Sequence, residues 1–181
     1  MQIREKQTAD EIWIDSVLDE NWAADGTGII IVHGESFDAR TLPALIAGER
    51  EGLAIYEISP DTLSAELITL DAFKRHQGVG GALVDALVAK MRQQGVSLLR
   101  VTTTNDNLDA LRFFQRRGFC LVAVRPGAVD ESRKSKPTIP AIGKYGIPIR
   151  DEIELELRIE KRSQEPGARR SGVRREGSDG R

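Results

Sequence analysis

A glycine-rich turn is the part of this sequence whose residue types are best suited to binding a ligand. A hydrophobic stretch ending at Leu70 leads to three glycines, Gly78, Gly80 and Gly81, which open an amphipathic pattern. The first amide groups of a helix have no partner within the helix, and the helix dipole is positive there. Because glycine lets an anion approach the main chain closely, the turn predicts a phosphate or pyrophosphate site. The alternative is that these glycines only permit tight packing of helix against strand.

Two familiar nucleotide-binding motifs do not match this turn. A Walker A loop continues with Lys and then Ser or Thr, whereas Gly81 is followed by Ala82. A dinucleotide-binding turn needs a further glycine where Leu83 stands. It also needs an acidic residue at the end of the next strand, where the sequence has the threonines 102–104. The sequence therefore argues against both.

Strands and helices alternate around the turn. Apolar and β-branched runs predict strands at 28–32, 44–47, 53–58, 63–70, 96–104, 119–124 and 153–157. Helical spacing predicts helices from the capping-box pattern at 8–11 to Trp22, over 78–94, and from Asn105 or Asn107 to Arg117. This order predicts an α/β fold with a mixed, partly parallel twisted sheet flanked by helices. Residues 125–150, with four prolines, are predicted to be a long surface loop that includes 133–136.

Composition indicates an ordinary globular protein. The 181 residues carry 26 Lys plus Arg against 28 Asp plus Glu, so neither nucleic acid nor a membrane surface is predicted as a partner. We expect one domain over 1–162 and an Arg/Gly-rich disordered tail over 163–181. No apolar run is long enough to span a bilayer and no secretion signal begins the chain, which predicts a cytoplasmic protein. The lone Cys120 is expected to be a buried strand thiol, and no metal-ligand spacing is present.

Two blocks of the sequence resemble the GNAT (Gcn5-related N-acetyltransferase) superfamily. The segment from Arg75 to Gly80, Arg-His-Gln-Gly-Val-Gly, matches its motif Arg/Gln-x-x-Gly-x-Gly/Ala. Asn107, Ala110, Phe113 and the pair Gly118-Phe119 match a second block. The resemblance implies the GNAT fold and an acetyl-CoA-dependent N-acetyltransferase. Its acceptor would be the primary amine of a small molecule or peptide, attacking directly in a ternary complex. A homodimer is compatible with it, and the alternative is a non-catalytic or very slow acyl-CoA-binding protein.

The resemblance also implies where the cofactor lies. Arg75 and Phe114 would be among the cofactor-binding residues. The pyrophosphate would rest on main-chain amides of the turn, contributed by His76, Gln77, Gly78, Val79, Gly80 and Gly81. The pantetheine arm would pair with the strand before the turn, at Ile68, Thr69 and Leu70. That strand and the strand after the helix would splay apart around the thioester. Asn107 would contact the cofactor arm from the opposite wall, cap a helix, or do both.

Catalysis would need a base for the amine and an acid for the departing sulfur. Glu66 is the candidate base because alternation places it on the strand face of Ile68 and Leu70, although it could also be a solvated strand residue. Asp71 is the reserve candidate. Phe114 stands where the family usually has a tyrosine acid, so the sulfur would be protonated by water, by Tyr56 or by Tyr145, or turnover would be slow.

Overall fold

The computed structural model describes residues 1–22, 26–59, 63–74 and 77–160. The strands are β1 (Ile3–Glu5), β2 (Ile29–Val32), β3 (Glu35–Asp38), β4 (Ala44–Ala47), β5 (Gly52–Ser59), β6 (Ser64–Ala72), β7 (Leu98–Thr104), β8 (Cys120–Arg125) and β9 (Glu152–Arg158). The helices are α1 (Glu11–Asn21), α2 (Val79–Gln93), α3 (Leu108–Gln115) and α4 (Ala128–Ser135). The predicted tail, 163–181, lies outside the described residues, and the division into domain and tail stays a prediction.

Seven strands form one mixed sheet, in the order β1-β4-β5-β6-β7-β9-β8. Its β6–β7 pair is parallel and its other pairs are antiparallel. The strands β2 and β3 form a separate antiparallel hairpin. The predicted α/β fold with a partly parallel sheet is therefore confirmed.

Helix α2 covers one face of the sheet with the apolar stripe that its sequence predicts. Val79, Leu83, Leu87 and Met91 are all buried against strand residues from β4 to β9. Each such side chain stabilises the fold by roughly 1.5–3 kcal/mol through removal from water. The helix ends before Gly95, whose φ of +77° gives the left-handed turn expected of a glycine at a helix end.

Helix α1 covers part of the opposite face. Its residues Ile14, Val17 and Leu18 pack on apolar side chains of β4, β5 and β6 and on β2. Trp22, at which the predicted helix ends, directly follows α1 and is 39% exposed.

A bulge in β6 corrects the predicted alternation of that strand. Thr69 lies opposite Ile55 and Leu67 lies opposite Tyr56, so Ile68 is an extra residue without a direct partner. Ile68 packs on the α1 side, while Leu70 packs on the α2 side. Glu66 and Ile68 thus share a face as predicted, but Leu70 does not, because a bulge inserts one residue and reverses the alternation after it.

Three further predictions were wrong. The segment 125–150 is not only a loop, since it contains α4, and Lys136 at the end of that helix is 7% exposed rather than on the surface. Cys120 is exposed at the start of the outermost strand, β8. An outermost strand is covered on fewer sides, which strand propensity alone does not reveal.

In the part of the chain that is described, no helix is long and apolar enough to cross a bilayer.

Candidate active site

A gap opens between β6 and β7 at the level of the bulge. The two strands are paired from Ser64↔Leu98 to Leu67↔Val101 and both continue for several residues beyond. Past that point β6 stays paired with β5, and β7 with β9. Main-chain groups of β6 therefore face the gap instead of a neighbouring strand. Within the described residues the hydroxyl of Thr69, which is 1% exposed, has no hydrogen-bond partner, so this stretch has polar capacity to spare.

The glycine turn lies at the end of β6 and begins α2. Gly78 has a φ of +77° with open space where a Cβ would be, and the amide of Ala82 donates to its carbonyl oxygen at 2.9 Å. The amides of Val79, Gly80 and Gly81 precede the first bond of the helix, and no side chain caps them in the described structure. Gln77 is exposed beside them, whereas Arg75 and His76 lie outside the described residues. The turn thus presents amide donors and a positive helix end to an anion.

Arg117, from the end of α3, adds a positive charge to this turn. A Cβ on Gly81 would lie 2.3 Å from its Nη2 atom, and its guanidinium stacks 3.9 Å from the ring centre of Phe113. A cation is unfavourable beside a helix N-terminus unless an anion joins them. No local sequence pattern indicates a role for Arg117 at the turn, because only the packing of α3 against α2 brings it there. Among the cations near the turn, Lys74 pairs with Glu51 instead.

Glu66 lies on the face of the sheet opposite α2, at the inner end of the gap. The Oγ1 atom of Thr102 donates to its Oε1 atom at 3.3 Å. Burial raises the pKa of Glu66 to about 7, against the lowering effect of this hydrogen bond and of nearby Arg100. The neighbouring carboxylates of Glu154 and Glu152 raise it further. A carboxylate that titrates near neutrality is matched to accepting a proton from an amine.

His33 contacts both Thr102, the residue that donates to Glu66, and Glu152. The Nε2 atom of His33 lies 2.8 Å from Thr102 Oγ1, and its main-chain amide donates to Glu152 Oε2 at 3.2 Å. Its Nδ1 atom lies 3.6 Å from the same oxygen. His33 sits in the turn between β2 and β3 with a φ of +55°, an uncommon value for a residue with a side chain. The sequence held no signal for this group, because a short hairpin carries the histidine to a strand more than sixty residues away.

Asp71, the reserve base, is tied to the end of α1. Its carboxylate accepts hydrogen bonds from Trp22 Nε1 at 3.0 Å and from Asn21 Nδ2 at 3.3 Å. Burial raises its pKa to about 6, while these two hydrogen bonds lower it. The bonds give Asp71 a positioning role for the helix end, and they make Glu66 the better candidate base.

Asn107 caps α3, as one of its two predicted roles requires. Its Oδ1 atom accepts from the amide of Ala110 at 3.4 Å and from Lys144 Nζ at 2.8 Å. Contact of Asn107 with a cofactor stays a prediction.

Phe114 packs in the core. It is 4% exposed, with the rings of Phe113 and Phe119 edge-on to it at 5.1 and 5.2 Å. Of the two predicted substitutes for the acid, Tyr56 is buried beside Lys90 of α2, and the hydroxyl of Tyr145 donates to Asp109 at 2.8 Å. Neither contact places a tyrosine hydroxyl in the gap.

No group of three or more His, Cys, Asp or Glu side chains within the described ranges could hold a metal ion. The gap has amide donors that can bind an anion at one end and, at the other, a carboxylate with a raised pKa that can accept a proton.

The match to a family model agrees with this architecture. Residues 8–119 match the acetyltransferase (GNAT) family. Because this span exceeds half of the chain, the chain belongs to that family, and the resemblance seen in its two sequence blocks is confirmed.

Individual relatives add further comparisons. Over 107 residues the chain is 39% identical to the uncharacterized protein YdhI of Bacillus subtilis (strain 168), a match covering 59% of this chain and 66% of YdhI. The chain thus spans slightly less than two thirds of that relative.

Two solved structures share the fold. A GNAT family acetyltransferase of Elizabethkingia anophelis with acetyl-CoA bound has a TM-score of 0.62 and 16% identity, covering 87% of this chain and 97% of that one. An acetyltransferase of Bacillus subtilis in complex with CoA has a TM-score of 0.59 and 17% identity, covering 88% of this chain and 100% of that one.

Proposed function

We propose that the protein is an acetyl-CoA-dependent N-acetyltransferase that transfers the acetyl group to a primary amine. Acetyl-CoA, which is bound in the solved E. anophelis structure, is the acyl donor, and its diphosphate rests on the amides from Gln77 to Gly81. Arg117 supplies charge at the same place. The observation that carries the proposal is the gap between β6 and β7, which runs from this turn to Glu66.

The residues around the gap fit the extended arm of the cofactor. Main-chain groups at Ile68, Thr69 and Leu70 lack a β7 partner and can pair with the amide groups of the arm. The bulge widens the gap because it turns β6 away from β7. A main-chain amide near Leu70 is the donor for the oxyanion that forms during attack.

Glu66 removes the proton that the amine must lose. A primary ammonium becomes a nucleophile only as the neutral amine, so the ionised carboxylate accepts one proton from it. The amine nitrogen then forms a bond to the acyl carbon and gives up a second proton to water. The carbon–sulfur bond breaks, and the thiolate takes a proton from water. Thr102 donates to the Glu66 carboxylate and also contacts Nε2 of His33, and so positions the carboxylate beside the gap.

A second candidate function is acyl-CoA binding with little or no turnover. The core position of Phe114 favours it, because the residue at the usual acid position carries no proton and is enclosed by two phenylalanines. A positioned acid contributes roughly 10²–10⁴-fold to a rate, so an enzyme without one would be slow.

Release of CoA thiol from acetyl-CoA in the presence of a panel of amines separates the two functions. We expect thiol release that depends on both the amine and the enzyme concentration. Binding of acetyl-CoA without release for any amine would establish the second function.

A charge substitution at the turn tests where the diphosphate binds. Gly78 has a positive φ that Asp and Asn tolerate best among residues with side chains, and both are good helix N-caps. We expect Gly78→Asp to weaken CoA binding, measured by titration calorimetry, at least tenfold more than its neutral control Gly78→Asn, because it sets a negative charge against the diphosphate. Equal affinities of the two variants would place the diphosphate elsewhere.

A further inference from the structure

A cavity of about 390 Å³ opens beside the gap, on the face of the sheet opposite α2. Its walls come from the end of α1, from β2, from α4 and from the segment 138–140. It reaches the sheet at Thr104 and Glu152, which lie opposite each other where β7 meets β9. Small-molecule sites span roughly 300–1,000 Å³, so this cavity is sized for a small ligand.

Most of the cavity wall is apolar. Trp22, Ile30, Val129, Ile139 and Ile149 contribute to it from five separate segments of the chain. Such a surface binds the hydrocarbon part of a ligand and offers it few hydrogen bonds.

Two basic residues near the cavity donate hydrogen bonds to main-chain carbonyl groups of its wall. The ammonium of Lys136 donates to the carbonyl oxygens of Ile29 and Trp22 and so joins β2 to the end of α1. The guanidinium of Arg133 donates to the carbonyl oxygens of Ile139, Pro140 and Ile149 at 2.8–3.0 Å. Both cations are hydrogen-bonded to main-chain carbonyls of the wall, which fixes the shape of the cavity around them.

The charge that the cavity presents toward the gap is negative. Glu152 lines the cavity, is 4% exposed and accepts a hydrogen bond from the main-chain amide of His33. Beyond it, Arg100 pairs with Glu156 at 2.9 Å, and Arg125 pairs with Glu154 at 3.2 Å. Within the described residues no lysine or arginine pairs with Glu152, which leaves this end of the cavity complementary to a cation.

We propose that the acceptor is a small monoamine with an alkyl or aryl body and no carboxylate. Its apolar body fills the cavity and its ammonium group lies at Glu152, from where it faces the gap. This inference rests on the proposed N-acetyltransferase function and names the substrate class of that site.

The same walls disfavour other amines. An amino acid would bring a carboxylate into a cavity whose lining carries two carboxylates, Glu20 and Glu152, against one cation, Lys136. A peptide would have to place its main-chain groups against the same apolar surface.

A matched acceptor series tests the proposal. We expect kcat/KM for 2-phenylethylamine to exceed that for phenylalanine at least tenfold, since the two differ only in the carboxylate. Along n-propylamine, n-butylamine and n-pentylamine, kcat/KM should rise about fourfold per methylene, from ~0.8 kcal/mol for each buried CH₂. Preference for phenylalanine, for spermidine or for a peptide amino terminus would overturn the proposal.

A pair of isosteric variants tests the role of Glu152. Glu152→Gln keeps an oxygen for the His33 amide but removes the charge, and should raise KM for 2-phenylethylamine about tenfold while KM for acetyl-CoA stays within twofold. Glu156→Gln, on the same strand and face but outside this cavity, is the matched control and should leave both constants within twofold. Equal effects of the two variants would contradict the assignment.

Binding measured without turnover separates this inference from the proposed function. The chain has two tryptophans, and Trp22 lines the cavity, so Trp13→Phe leaves it as the single fluorescent reporter. With CoA bound, 2-phenylethylamine should change its fluorescence saturably, and phenylalanine should not. If CoA itself fails to bind, the proposed function is wrong. If CoA binds and 2-phenylethylamine causes no saturable change, the acceptor class is wrong.

Discussion

Replacing Glu66 by glutamine should lower kcat and raise the free energy of unfolding. Burial raises the pKa of Glu66 from 4.5 to about 7, so the folded protein holds the neutral acid better than the carboxylate. The native state is therefore favoured below pH 4.5 and loses this advantage as pH rises to about 7. At about 1.4 kcal/mol per pH unit, the ionised residue costs at most about 3 kcal/mol at pH 8.

Glutamine carries no charge at any of these pH values, so Glu66→Gln should unfold at higher urea concentration than the natural protein at pH 8. We expect a gain of about 1–3 kcal/mol in the free energy of unfolding at pH 8, and a gain near zero at pH 4. In the same variant, kcat should fall roughly 10²–10⁴-fold, the usual contribution of a positioned base. For the natural protein, kcat/KM should rise with pH through an apparent pKa near 7.

Glu57 provides the control, because it lies directly opposite Glu66 on β5. Glu57→Gln should leave kcat within threefold and should lack the pH-dependent gain in stability. A Glu66→Gln variant that keeps its rate would remove Glu66 from the mechanism. A variant that keeps its rate and also gains no stability at pH 8 would refute both the burial of the carboxylate and its role.

Three further predictions concern Arg117 beside the glycine turn, Phe114 in its aromatic cluster, and Asp10 at the start of α1. Arg117→Gln should weaken CoA binding about tenfold in calorimetry through loss of a charge-assisted contact worth ~1.5–3 kcal/mol, and an equal loss with the exposed control Arg116→Gln would contradict this. Phe114→Tyr should lower the free energy of unfolding by about 1–3 kcal/mol without raising kcat, because its hydroxyl would enter an enclosed aromatic cluster; a higher kcat would show that the hydroxyl reaches the sulfur. Asp10→Ala should cost about 2–3 kcal/mol at pH 7, because Arg4 and the amide of Gln7 hold the pKa of Asp10 well below its usual range. That loss should shrink as pH falls below about 4, and a constant loss in urea titrations across this range would contradict the ion pair.

The donor half of the site could be predicted from sequence because its determinants are local. The stripe of α2, the glycines that begin it and the cap at Asn107 are all encoded within a few residues of where they act. Local patterns of this kind carry over directly into structure. The positions of Arg75 and His76 lie outside the described residues, and the contacts of the turn with CoA stay predictions.

The acceptor half depends on contacts between distant parts of the chain. His33, in a short hairpin, contacts Thr102. Lys136, at the end of α4, contacts Ile29, and the four prolines of 125–150 had indicated a loop where that helix lies. The bulge at Ile68 likewise follows from pairing with β5 and leaves no mark in the alternation of β6 itself. Single-sequence patterns do not contain such pairings, which is why Glu66 could be named as a candidate base whereas the Thr102 and His33 contacts around it could not be predicted. The homodimer and the cytoplasmic location also stay predictions.

The connection between β8 and β9 has a consequence for redesign. Residues 126–151 leave the sheet at its outermost strand and return beside it, and they supply α4, Arg133, Lys136 and the 138–140 wall. None of the glycines that begin α2 lies in this stretch. Under the proposed function, exchanging it for the corresponding connection of a related protein, with the carbonyl partners of its basic residues preserved, would change which amines are accepted and leave the glycine turn as it is.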